Sequence, residues 1–521
     1  MTSTLLKYNI ILIVLCIGMS LIHNSSGATD RLEFFKYNCR KDINLYFNPM
    51  NPPCRSVLLA LEALNLEINL INIRLSANKK PIEHFLKTNY KYTIPVIQDG
   101  DFVLSGSHAI IVYLVRKYGG KDDHPLYPND PKLQAQVNQR LHFDNGTLYP
   151  AFKIQYNKWI YYRIAKTKER EYKIHKTLEF LENVLKKSPW TAGDSMTVAD
   201  FSLVASISTF QVAGVDLNKY DNINKWFIKC TNTMAGYENV NKNGITLFNT
   251  LLNYFSKKMT STLLNFNVIL IVLCIGMTLT HTSSGGKYQF LFIKKDINLY
   301  FDPMNPPCRS VLLALEALNL EINLINIRLS TNKKHIEHFL KTNYKYTIPV
   351  IQDGNFVLSG SHAIIVYLVR KYGGKDDHPL YPNDPKLQAQ VNQRLHFDNG
   401  TLYPAFKIQY NMWIYHKILK TKEKEDKIHE ALEFLENVLE KSYWAAGKLM
   451  TVADFSLVTS ISTFKSVGVD LKKYDNINEW FRMCTNTMDG YEKVNKSALN
   501  FLISLINYQK EFDKLNRTQS L

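Results

Sequence analysis

The sequence predicts a tandem of two like units, each an α/β layer followed by an all-helical layer. Three observations carry this. Phe102 to Asn157 is identical to Phe356 to Asn411, and Cys54 to Ser76 is identical to Cys308 to Ser330. The offset, about 250 residues, far exceeds the ~20–50 of stacked repeats, so the repeating object is a whole protein. Within each copy, short strand-like runs alternate with helical runs and then give way to helical periodicity alone.

In the first copy a strand over Ile43 to Phe47 meets Pro52-Pro53, which suits the first turn of a helix carrying Val57, Leu58, Leu61 and Leu64. A second strand spans Ile68 to Ile73, and a polar helix follows near Pro81 to Leu86. Thr93-Ile94-Pro95-Val96-Ile97 then opens a strand. Proline lacks the N–H of a sheet ladder and belongs at a strand's first position. A cis bond at Ile94-Pro95, and its copy Ile348-Pro349, would turn the preceding backbone N–H and C=O toward an extended ligand. The turn Gln98-Asp99-Gly100 leads to the hairpin partner Phe102-Val103-Leu104, and a helix starts near Ser107 with Ile110, Ile111, Tyr113, Leu114 and Val115.

After the polar linker Lys121 to Pro125 the chain reads as helix. Leu133, Val137, Leu141, Leu148 and Phe152 mark one face, which Pro150 should interrupt. Thr197-Val198-Ala199-Asp200 has the form of a capping box, and the helix after it is apolar nearly all round, so it should be buried. Asp200 is read as a cap and not as a catalytic acid.

Composition excludes several classes. The net charge of +17 is scattered, and no basic block alternates with stacking aromatics, so no nucleic-acid surface is expected. A generally basic surface, attracted to acidic membranes or matrix, remains. Seven cysteines form no disulfide framework: Cys16 and Cys274 lie in apolar leaders, Cys39 faces Ile293 in the copy, and the pairs Cys54/Cys308 and Cys230/Cys484 read as buried thiols.

Residues 1–27 read as a secretory signal peptide, with Lys7, an apolar run from Ile10 to Ile22 and a small-residue site at Ser25-Ser26-Gly27. Met259 to Leu264 repeats Met1 to Leu6 and opens a second leader over 259–285. Two readings stay open: adjacent coding units joined by readthrough or in error, or a true two-unit protein whose second leader is cleaved or lies in a membrane. Secretion is the expected localisation.

The order of elements, with Pro52-Pro53-Cys54-Arg55-Ser56-Val57, Lys91 to Pro95, Val137 to Leu141, Phe143-Asp144 through Tyr149 and Thr197 to Asp200, resembles the cytosolic glutathione transferases, most closely the insect delta and epsilon classes. The resemblance implies a thioredoxin-like domain over 41–122 and a helical domain over 128–256, repeated over 295–376 and 382–508. It implies glutathione as co-substrate, hydrophobic electrophiles as partners, no prosthetic group or metal, and pairing as a homodimer or as an intrachain pseudo-dimer.

The resemblance also assigns a site, in which this sequence departs from the family. The hydroxyl that polarises the glutathione thiol, a serine in delta and epsilon proteins, is replaced by Asn51 and Asn305. A side-chain amide still donates to a thiolate. Glutathione-binding positions are Tyr92, Ile94, Pro95, Ser107 and His108, with Tyr346, Ile348, Pro349, Ser361 and His362 in the copy. Tyr92 and Tyr346 stand where the family usually has histidine. Gly106-Ser107-His108 stands where it has Glu-Ser-Arg, so the glutamate that pairs with the γ-glutamyl amine is missing. Ser107 and the first N–H groups of its helix can still hold a carboxylate, and His108 can take part of the arginine's role.

Tyr149, Phe152 and Tyr156, with Tyr403, Phe406 and Tyr410, are candidates for the co-substrate pocket, although such a stripe also suits a core. A thiol chemistry at Cys54 is the rival to its burial. Sequons at Asn145 and Asn399 fall in a helix and are not expected to carry glycan, whereas Asn495 and Asn516 are candidates. Two functions follow: conjugation of glutathione to apolar electrophiles, or a secreted non-catalytic ligand-binding or interaction protein on the same fold.

Overall fold

The computed structural model describes residues 43–73, 93–157, 159, 165–263, 297–327, 347–416, 418 and 420–518. The first leader, the second leader beyond Leu263, the polar helix near Pro81, Tyr92, Tyr346, Cys16, Cys39 and Cys274 lie outside the described residues.

The first unit opens with β1 (Ile43–Phe47), α1 (Pro52–Ala63), β2 (Asn69–Asn72), β3 (Val96–Asp99), β4 (Phe102–Ser105) and α2 (Ser107–Tyr118). The strands form one sheet in the order β2-β1-β3-β4, with β1 parallel to β2 and antiparallel to β3, and β3 antiparallel to β4. Leu45, Ile97 and Leu104 point from the sheet into a core completed by Val57, Leu59 and Leu61 of α1 and Ile110, Ile111 and Leu114 of α2. β1 is buried on both faces, at Ile43, Leu45 and Phe47 on this side and at Tyr46, which packs with Val96 and Ile73, on the other. Asp99 ties the hairpin to α2 by accepting from Tyr113 Oη at 2.7 Å, Lys117 Nζ at 2.6 Å and the Tyr118 hydroxyl.

The helical layer comprises α3 (Pro131–Phe143), α4 (Lys168–Leu185), α5 (Val198–Val212), α6 (Asp221–Thr233) and α7 (Asn243–Leu263). Asp130 caps α3 by accepting from the N–H groups of Lys132 and Leu133, with Pro131 in the first turn. Leu133 is not on the buried face as the periodicity suggested. It is 43% exposed, because it lies on the outward side of α3, whose inward face carries Gln134, Val137, Asn138 and Leu141. The interruption expected at Pro150 takes the form of two π-helical stretches, Asp144–Leu148 and Lys153–Asn157, on either side of the short turn Tyr149–Phe152. Proline removes one hydrogen bond of the ladder, and wider turns absorb the mismatch.

Helix α5 is buried along almost its whole length, and its capping box is formed by Thr197 and Asp200. Asp200 accepts from Thr191 N at 3.0 Å, Thr197 N at 2.8 Å and Trp226 Nε1 at 3.0 Å. Every acceptor position is used by the fold, so the carboxylate is structural. Helix α7 runs past Met259, so the first residues of the expected internal leader continue the last helix of the first unit.

The second unit repeats the plan with β5 (Ile297–Phe301), α8 (Pro306–Ala317), β6 (Asn323–Asn326), β7 (Val350–Asp353), β8 (Phe356–Ser359), α9 (Ser361–Tyr372), α10 (Pro385–Phe397), α11 (Lys422–Leu439), α12 (Val452–Ser466), α13 (Asp475–Thr487) and α14 (Tyr491–Thr518). The two units pack reciprocally, α2 on α10 and α3 on α9. Gln139 Nε2 donates to Ser359 O at 2.9 Å and Gln393 Nε2 to Ser105 O at 2.9 Å, while the Tyr127 and Tyr381 hydroxyls meet at 3.3 Å. Gly146 permits the approach: a Cβ there would lie 2.5 Å from Asn399 Nδ2.

Candidate functional site

Three chain segments converge at one end of each sheet. The register Tyr46↔Val96↔Ser105 places the residues after β1, before β3 and after β4 side by side. Asn51, the Ile94-Pro95 bond and Ser107 therefore share one edge, with the N-termini of α1 and α2 directed to it. The peptide bonds Ile94-Pro95 and Ile348-Pro349 are cis, and Gly106 N donates to Pro95 O at 3.3 Å.

Asn51 is the residue before α1. Its carbonyl accepts from Cys54 N at 3.0 Å and Arg55 N at 3.1 Å, while its side chain makes no cap bond. The Asn51 Oδ1 atom is buried without a hydrogen-bond partner. In the second unit Asn305 Oδ1 accepts a long bond, 3.5 Å, from Tyr403 Oη. A buried carbonyl oxygen without a donor is costly in a native fold.

The loop holding Asn51 is fixed from below by Arg55, which is fully buried. Its guanidinium donates to Met50 O at 2.8 Å, Asn241 Oδ1 at 2.8 Å, Ala205 O at 2.8 Å and Thr209 Oγ1 at 2.5 Å. Burial lowers its pKa to about 10, still charged at neutral pH. Sequence reasoning took Arg55 only as part of a motif. A lone arginine in the apolar run of a buried helix was the signal that it needs internal acceptors.

Its partner in the second unit corrects another expectation. Asn495, taken as a candidate for glycosylation, is 1% exposed and accepts from Arg309 Nε at 2.9 Å, so its amide is closed to modification. Asn145 donates to His396 O at 2.9 Å between the units.

At the other end of the groove, Gly106 precedes α2 with φ +92°, a conformation that glycine adopts without steric cost. Ser107 is the first residue of α2 and is buried, its Oγ 3.4 Å from His108 Nδ1. His108 turns inward: its Nε2 lies 3.0 Å from Asp144 Oδ2 and 3.0 Å from Ser202 Oγ. Ser202 and Ser206 also donate to Asp144, at 2.5 and 2.8 Å. The histidine thus reaches the groove only through Ser107. The network repeats at Ser361, His362, Asp398, Ser456 and Ser460. Asp144 and the two serines were not singled out from the sequence, because nothing in a helical run marks which polar residues meet across two domains.

Of the aromatic stripe, Phe152 and Tyr156 are buried, stacked at 4.6 Å, with Phe152 also 4.8 Å from Phe210 of α5. Phe406 and Tyr410 are buried in the same way. Tyr149 is half-buried, next to Phe152 at 6.4 Å, and its counterpart Tyr403 reaches Asn305. The stripe therefore divides into core residues and one tyrosine at the groove.

Cys54 is buried, its sulfur accepts from Asn48 N at 3.5 Å, and desolvation pushes its thiol up to about 12. That removes the rival reading of a reactive cysteine. Cys230, Cys308 and Cys484 are likewise buried free thiols, each raised by burial. Among the described residues no cluster of three or more His, Cys, Asp or Glu is arranged to hold a metal.

A thioredoxin-like sheet domain backed by a helical domain, with two helix N-termini and a cis-proline at one sheet edge, defines a two-domain class. The comparisons give the family. The model for the glutathione S-transferase N-terminal domain matches residues 45–122 and 299–376, and that for the C-terminal domain matches 146–233 and 404–487. A delta-class glutathione transferase of Nilaparvata lugens is 39% identical, with 41% of this chain and 99% of that chain covered and a TM-score of 0.38. Glutathione transferase E6 of Drosophila melanogaster is 32% identical, with coverages of 41% and 97% and a TM-score of 0.38. A glutathione transferase homologue of Drosophila mojavensis, solved with bound glutathione, is 30% identical, with coverages of 41% and 97% and a TM-score of 0.37. The chain belongs to the glutathione S-transferase family, as two tandem pairs of N- and C-terminal domains.

Proposed function

We propose that each unit binds glutathione along the sheet edge and transfers its thiolate to an apolar electrophile, as in detoxification. The observation that carries this is the joint placement of the Ile94-Pro95 backbone, Ser107 at the N-terminus of α2 and Asn51 at the N-terminus of α1. The γ-glutamyl carboxylate takes the Ser107 hydroxyl and the first N–H groups of α2, where the helix dipole favours an anion. The Ile94 N–H and C=O pair with the cysteinyl residue. The sulfur then lies by Asn51, whose amide donates to the thiolate, and by the dipole of α1. A relative with bound glutathione supports the ligand class. Tyr149 and Tyr403 border the electrophile.

The pairing of units within one chain stands in for a homodimer, and the N-terminal leader over 1–27 directs the protein to secretion. A second reading has its own support. The partnerless Asn51 Oδ1 and the missing side chain at Gly106 weaken the groove at the thiol and amine, which suits a protein that holds ligands and turns over slowly. Turnover of a generic aromatic electrophile with glutathione separates the two. Conjugation above the uncatalysed rate, raised by Asn51→Ser, supports the enzyme; binding without conjugation in either form supports the holder.

A further inference from the structure

The two grooves are joined by a row of four imidazoles. His108 of the first unit stacks on His396 of the second at 5.0 Å between ring centres. His396 stacks on His142 of the first unit at 4.1 Å, and His142 on His362 of the second at 4.9 Å. The rings stay within 28–29° of parallel throughout. The outer rings are anchored, His108 to Asp144 and His362 to Asp398, each at 3.0 Å. The inner rings are not. The Nδ1 atoms of His142 and His396 are buried without a hydrogen-bond partner. Asn145 and Asn399 beside them bond to the backbone carbonyls of His396 and His142, and so leave those ring nitrogens unpaired.

We propose that this stack is a latch between the units: His396 is a positioning residue for the first glutathione site and His142 for the second, and acid opens it. The geometry gives each inner ring a second task. His396 backs the ring of His108, which holds Ser107, and His142 backs the ring of His362, which holds Ser361. Neither groove is complete without the other unit. The link to glutathione rests on the function proposed above; the latch does not.

The charge argument is direct. His396, His362 and His108 act on His142, and His108 and His362 act on His396; no carboxylate is in direct contact with either inner ring among the described residues. A proton on an inner ring would sit buried between imidazoles with no acceptor. Burial and these neighbours hold both groups well below the ordinary histidine range. Unfolded or separated, each titrates near ~6.5. The open state then binds more protons, so pairing is full above that value and weakens as pH falls below it. Each inner histidine contributes up to about tenfold per pH unit, or about a hundredfold for the two together.

The test uses the full chain. Small-angle scattering between about pH 8 and pH 5 reads separation of the units, in parallel with glutathione titration across the same range. The wild type is expected to expand in acid, with glutathione affinity falling in step. The double variant His142→Phe/His396→Phe keeps two flat rings that cannot charge, and its dimensions should not change with pH. His142→Gln/His396→Gln, also uncharged, covers the case in which phenylalanine disturbs packing. A wild type that stays compact, or the same expansion in wild type and both variants, overturns the latch. Expansion with unchanged glutathione affinity overturns the positioning role. Absence of glutathione binding even at about pH 8 removes the transferase reading, and scattering still decides the latch.

Discussion

The Ser107 end of the candidate site and its Asn51 end lie at the same edge of one sheet, yet they are held by different means. Ser107 stands on a closed network in which His108, Asp144, Ser202 and Ser206 satisfy one another inside the molecule. Asn51 stands on a loop whose backbone is fixed by Arg55, while its side-chain oxygen lacks a partner. One end is rigid because the fold needs it. The other has its position fixed and its chemistry left open, so sequence change at the Asn51 end costs the fold little.

That contrast orders the experiments. Asp144→Ala should have the largest effect, since it strips the acceptor from His108, Ser202 and Ser206 at once. Breaking a buried hydrogen-bonded carboxylate costs about 3–5 kcal/mol, and denaturant unfolding of the full chain would read it. A loss under ~1 kcal/mol would mean that the network is not what holds Ser107.

Arg55→Met comes next. It leaves Asn241, Thr209 and two carbonyls without their donor, at about 2–4 kcal/mol, partly offset by the apolar stem. Thermal melting checks stability, and glutathione titration checks whether the Asn51 loop shifts with it. A drop in stability with unchanged binding would separate scaffold from groove.

Asn51→Ser acts on chemistry alone. Turnover should rise by about tenfold, ~1.4 kcal/mol, with little change in melting. Unchanged turnover would place the limiting step elsewhere. The smallest effect is expected from Tyr149→Phe, which removes one hydroxyl beside the groove and should alter turnover by less than about fivefold, ~1 kcal/mol. A larger loss would move Tyr149 into the thiol machinery.

The same contrast explains what the sequence disclosed. The turn at Gln98-Asp99-Gly100, Pro52-Pro53 at a helix start and the capping box at Thr197 and Asp200 are local patterns with one physical solution, so the fold was readable. Ser107 and Pro95 were readable for the same reason, being fixed by helix and strand starts. The inward turn of His108 was not, because it depends on Asp144 and Ser202 arriving from another domain. Nor was the division of the aromatic stripe: spacings of three and four put Tyr149, Phe152 and Tyr156 on one face, and only packing, of Phe152 on Phe210 and of Tyr156 on Phe152, sends two of them into the core. Leu133 failed as a core residue because the inward position of that turn is held by Gln134, a polar residue that apolar periodicity passes over.

The most direct test is calorimetric titration of the full chain with glutathione and, separately, with S-methylglutathione. The account expects both to bind, at two sites per chain and with similar affinity, because the built end of the groove is the one that recognises the γ-glutamyl group. No binding of either at ~10 mM, where an interaction of ~4 kcal/mol would be largely saturated, would contradict it.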